Sequence, residues 1–80
     1  MPNKPPADIQ LTKLQTKVLK HVRANPGCAV IPVATTLGHR PYWVIQALEA
    51  LERFRWIRRE PGAGASAYDH RWFAREDLNA

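Results

Sequence analysis

The chain has 80 residues, a formal net charge of +5 and a sequence pI of about 10.0. That length holds one domain with a small core, and so basic a balance favours an anionic partner, nucleic acid or anionic lipid, over charge kept only for solubility. One cysteine, Cys28, excludes an intrachain disulfide. His21, His39 and His70 have no metal-ligand spacing with it, so neither a metal nor another cofactor is expected.

Residues 1–8 contain Pro2, Pro5 and Pro6, lack an apolar run and read as a disordered tail rather than an export signal. No stretch approaches the roughly 18 apolar residues of a membrane span, so a soluble, cytoplasmic protein is expected. The domain is expected over 9–74, with a polar tail over 75–80. Thr12 and Gln15 have the spacing of a capping box. Behind them Leu11, Leu14, Val18, Leu19 and Val22 share one helical face, and Lys13, Lys17 and Lys20 the opposite one. This helix, predicted over 12–24, must stop at Asn25-Pro26-Gly27. Cys28 to Val30 reads as a very short strand.

A brief second helix is predicted over 31–37, with Pro32 in its first turn and Gly38 ending it. Pro41 opens a third helix, predicted over 41–53. Val44, Ala47, Leu48 and Leu51 mark its inner face, and Tyr42, Gln46, Glu49 and Arg53 its outer face. The period then changes. Trp56-Ile57-Arg58-Arg59 reads as a strand, residues 61–66 as a glycine-containing turn, and Ala67 to Phe73 as a second strand, giving a hairpin over 56–73. Leu14, Val18, Val22, Leu37, Val44, Leu48, Leu51 and Ile57 are the expected core, with Trp56 and Trp72 packing wing and core and Cys28 a small buried residue.

A short helix joined through glycine to a longer one, followed by a hairpin, is the order of a winged helix-turn-helix, an α+β class dominated by helix. Leu11-Thr12 with Gln15 and Val18-Leu19, then Val33-Ala34 with Leu37-Gly38, then Val44, Leu48, Leu51-Glu52, then Ile57 and Arg59, together resemble the winged helix-turn-helix domains of bacterial transcription regulators of the multiple-antibiotic-resistance-regulator (MarR) type. The resemblance runs from Leu11 to about Phe73. It implies a DNA-binding regulator, of repressor type and acting as a dimer, although the helices through which full-length members dimerise lie outside this core. Two positions depart from the family pattern. Arg55 stands where glycine usually joins helix to wing, and Tyr42-Trp43 stand where small polar residues usually begin the recognition helix.

The residue chemistry points the same way. An α-helix fits the major groove with its first turn nearest the base edges. Arg40, Tyr42, Trp43, Gln46 and Arg53 are therefore expected at double-stranded DNA, with Gln46 able to pair with adenine. The dense run of Arg53, Arg55, Arg58 and Arg59 is expected at phosphates, with Arg58 and Arg59 on the wing reaching phosphates or the adjacent minor groove. The lysines of the first helix read first as a solvated face, and Glu49 as an i,i+4 partner of Arg53. Two alternatives compete. In one, Tyr42, Trp43 and Ile45 hold a protein partner; in the other, the domain has an architectural or replication role and binds DNA with little sequence preference. No nucleophile stands beside a base and no phosphate-cradling loop precedes a lysine, so an enzyme is not expected.

Overall fold

The computed structural model describes residues 11–62, 64 and 66–75; the expected tail over 1–8 and all but Arg75 of the tail over 75–80 lie outside them. Helix α1 spans Lys13–Ala24. Its capping box is complete: the Gln15 N–H donates to Thr12 Oγ1 at 3.1 Å and the Thr12 N–H donates to Gln15 Oε1 at 3.0 Å. Two of the orphan donors of the first turn are thereby satisfied. Val18, Leu19 and Val22 are buried on its inner face.

Asn25 closes α1, its amide side chain donating to the His21 carbonyl at 3.0 Å. The expected strand at Cys28 is reduced to one antiparallel bridge with Trp72, because Val30 already begins the next helix. Helix α2, Val30–Leu37, carries Pro32 at its third residue, where the missing N–H has no intrahelical acceptor to lose. It ends at Gly38 with φ of 72°, a conformation that glycine adopts without a steric penalty.

Helix α3, Pro41–Arg53, starts where Arg40 is extended, with φ −70° and ψ 143°. It buries Val44, Ile45, Ala47, Leu48 and Leu51. Its end is a Schellman motif: the Trp56 N–H donates to the Leu51 carbonyl at 2.9 Å and the Arg55 N–H to the Glu52 carbonyl at 3.0 Å. The residue that must turn left-handed in such a motif is Arg55, at φ 67°.

Strands β1, Ile57–Glu60, and β2, Arg71–Ala74, pair antiparallel in the register Ile57 to Ala74 through Glu60 to Arg71. The second strand begins later than its sequence indicates. Ala67–Asp69 forms a 3₁₀ turn instead, because Ser66 captures the chain: the Tyr68 N–H donates to Ser66 Oγ at 3.1 Å and the Asp69 N–H to the Ser66 carbonyl at 2.9 Å. Trp72, fully buried, brings the hairpin into the helical core beside Leu48, Leu51, Ile57 and Val18. Leu14 and Leu37, expected at the centre, pack against that core from its edge and are only partly buried.

Candidate nucleic-acid interface

Burial of one side of α3 dictates what the other side offers. With Val44, Leu48 and Leu51 in the core, the roughly 100° step of the helix turns Tyr42, Gln46 and Arg53 outward, and all three are exposed. Trp43 lies at the edge of this stripe. Tyr42 and Trp43 are each 55% exposed and meet edge to face, with ring centroids 5.1 Å apart. Among the described residues the exposed large hydrophobics are these two, Ile31 and Tyr68. A shallow open groove runs from Trp43, Gln46 and Arg53 to Thr12, Leu14 and Gln15 at the start of α1.

Two expectations for this helix change. Ile45, grouped with Tyr42 and Trp43 as a protein-binding residue, is 7% exposed and belongs to the core, because it projects toward the flank of α3 that the fold covers. Glu49 makes no ion pair with Arg53; among the described residues the ion pairs are Arg59 with Glu52 and Arg58 with Glu60. Arg53 is thus left exposed without an acidic partner in the last turn of α3, where a cation also complements the helix dipole.

The wing arginines are both engaged. Arg59 Nε donates to Glu52 Oε2 at 3.1 Å, its Nη1 donates to His70 Nδ1 at 3.3 Å, and its guanidinium lies 5.2 Å from the centroid of Trp72. It staples β1 to the end of α3 and to the return strand. Arg58 pairs with Glu60 and stacks over Phe73 at 4.5 Å, but half of its side chain remains exposed. Sequence spacing gives no sign of the Glu52–Arg59 pair, which depends on how the hairpin docks.

The tip of the wing is shaped by close approach. A Cβ on Gly62 would lie 1.6 Å from the Asp69 backbone oxygen, and one on Gly64 2.0 Å from Asp69 Oδ2. Backbone blocks any side chain at Gly62, whereas at Gly64 the obstacle is the exposed Asp69 carboxylate, which would have to swing aside; the loop is pressed onto the 3₁₀ turn. Arg40, Arg53, Arg55 and Arg71 are exposed and without an ion-pair partner among the described residues. Arg55 was among the sequence candidates for phosphate; Arg71 is an addition to them.

Other chemistry is sparse. Burial pushes the Cys28 thiol above its ordinary range, opposed by a weaker hydrogen bond from its own backbone. Among the described residues, no group of three or more His, Cys, Asp or Glu could hold a metal ion. No described helix is long and apolar enough to cross a membrane.

No protein-family model and no curated protein sequence matches the chain. Solved structures do. The transcriptional regulator SlyA superposes with a TM-score of 0.75 at 25% identity, over 91% of this chain and 51% of SlyA. ZitR of Lactococcus lactis, a zinc-responsive MarR family member, superposes with a TM-score of 0.73 at 20% identity, over 95% of this chain and 51% of ZitR. A further MarR family transcription regulator gives 0.73 at 19% identity, over 86% of this chain and 45% of its own. The chain spans about half the length of these proteins. Its fold is that of a MarR-like winged helix-turn-helix domain.

Proposed function

We propose that the chain is a double-stranded DNA-binding transcriptional regulator of the repressor type, soluble and cytoplasmic, in which α3 enters the major groove and the wing follows the backbone or the adjacent minor groove. The observation that carries this reading is the outer stripe of α3. Tyr42, Gln46 and Arg53 stand exposed on one face of a helix in a basic domain, and among the described residues Gln46 and Arg53 make no side-chain hydrogen bond or ion pair. The likeness to SlyA and to MarR family regulators supports the same assignment.

In this reading Gln46, with Tyr42 and Trp43 ahead of it, faces base edges. Arg40 at the helix entrance, Arg53 at its end, Arg55 at the joint and Arg58 on the wing face phosphates. Arg59 takes a phosphate only by leaving Glu52, so its first role is to hold the wing. Phosphate contacts supply affinity without sequence information, and base contacts supply discrimination. Two copies on a palindromic site give the footprint that one small domain lacks, and we assign the dimer on that ground. The exposure of Tyr42 and Trp43 supports one competing reading, a protein-interaction module. The burial of Ile45 counts against it by shrinking that surface to two rings.

Fluorescence anisotropy with random duplex DNA and with duplex flanking the chain's own gene, at several salt concentrations, tests the proposal. Arg53→Ala is expected to weaken binding to all duplexes alike and to flatten the log–log salt slope by about 1. Gln46→Ala is expected to narrow the gap between preferred and random sites by about 1–3 kcal/mol. A chain that binds no duplex at low salt refutes the assignment.

A further inference from the structure

Resting on the duplex-binding reading above, the chemistry of the leading end of α3 narrows what that helix can recognise: we infer that it reads A·T pairs, with Tyr42 and Trp43 packing on thymine methyl groups and Gln46 pairing with adenine.

The major groove displays acceptors at guanine N7 and O6, an acceptor and a donor at adenine N7 and N6, a donor at cytosine N4, an acceptor at thymine O4, and one apolar group, the thymine methyl. Guanine is read most often by a bidentate arginine or lysine. From Pro41 through Ala50, the segment that the duplex-binding reading places at base edges, there is neither. Arg40 precedes the helix on extended backbone and Arg53 follows in its last turn, so both flank the reading segment. Cytosine is read by a carboxylate, and Glu49 is the one acid in the segment; it is half-buried and stands two turns from the leading end.

What remains outward is two aromatic rings and one amide. The rings are each 55% exposed and meet edge to face, so together they offer one apolar surface at the leading end of the helix. Their counterpart in the groove is the methyl group. The Tyr42 hydroxyl, at the far end of its ring, is suited to a phosphate or a base edge alike. Gln46 offers the donor and acceptor that adenine N7 and N6 require. Tyr42 and Gln46 are one turn apart, about 6 Å along the axis. Bases stack about 3.4 Å apart. The three readers therefore span about two base steps, and the recognised element is a compact run of A·T pairs.

The test is selection by the full chain from a pool of random-sequence duplexes, followed by replacement of each thymine in the selected site with deoxyuridine. The expected result is an A·T core of about three pairs within which loss of one or two particular methyl groups lowers affinity about four-fold each, the value of one buried methyl. Tyr42→Ala or Trp43→Ala should abolish that sensitivity, and melting should show both variants folded. The deoxyuridine change is made in the DNA, so it reads out even if a variant fails to fold. A G·C core, or an A·T core indifferent to deoxyuridine, overturns this inference while leaving duplex binding intact. Absence of any duplex binding overturns both.

Discussion

Replacing Arg55 by glycine should make the domain more stable. Arg55 holds φ at 67° because the Schellman motif at the end of α3 demands a left-handed residue there. For a residue with a Cβ that conformation costs about 1–2 kcal/mol. Glycine removes the strain but adds freedom to the unfolded chain, which offsets about 0.4–1 kcal/mol of the gain. The Arg55 side chain is exposed and has no ion-pair partner among the described residues, so little else is lost. The net stabilisation is about 0–1.6 kcal/mol, centred near 0.8 kcal/mol. In a domain of this size the central value raises the melting temperature by about 3–6 °C. Thermal melts followed by circular dichroism measure it. Arg55→Ala is the control, since it keeps the Cβ and should change stability by less than about 0.5 kcal/mol. A melting temperature that falls in Arg55→Gly, or rises as far in Arg55→Ala, refutes the reasoning. The same glycine variant is expected to bind duplex DNA more weakly, with a salt slope flatter by about 1. Stability and binding would then move in opposite directions at one residue.

Leu48→Ala should cost about 2–5 kcal/mol, because Leu48 is fully buried; a melt that barely shifts would show that its neighbours collapse into the space. Glu52→Ala removes the acid that holds Arg59; stability should fall by less than about 1 kcal/mol, while affinity for random duplex and its salt dependence should both rise, as titrations at two ionic strengths would show. Gly62→Ala should remodel the wing tip, since the added Cβ meets backbone at Asp69, and amide shift changes should stay within the hairpin. The raised thiol of Cys28 should react slowly with an alkylating reagent until the pH exceeds the ordinary thiol range, and quickly once the chain is unfolded. The sign for stability follows: the unfolded thiol ionises first, so this contribution is intact below the ordinary thiol pKa and is lost as pH rises through the folded value. Stability that increases across that window would contradict it.

What the sequence discloses here is what local chemistry decides. Thr12 with Gln15, Gly38, and Pro41 after an extended Arg40 each set a helix boundary through bonds within a few residues, and each is found where it was read. The inner face of α3 follows from period alone. The misreadings are non-local. Ile45 sits on the flank of α3, and whether a flank is covered depends on what packs beside it. Arg59 counts as a free cation until the hairpin docks and brings Glu52 and His70 to it. The second strand looks continuous from Ala67 by composition, and only the competing hydrogen bonds of Ser66 delay it. For the candidate site, the outward stripe of α3 was legible, whereas the division of arginines into engaged and available required the fold.

The bridge between Cys28 and Trp72 bears on how the molecule is made. The Gly27 N–H donates to the Trp72 carbonyl at 2.8 Å and the Trp72 N–H to the Cys28 carbonyl at 2.9 Å, joining the turn after α1 to the last strand across α2, α3 and the wing. Trp72 is also the largest fully buried side chain. A nascent chain that has delivered all three helices therefore still has a hole the size of an indole in its centre. Closing it requires a long loop to be fixed, the slow kind of contact to form. Completing the core of this domain thus waits on the return strand, Arg71–Ala74, the last of its described elements in chain order.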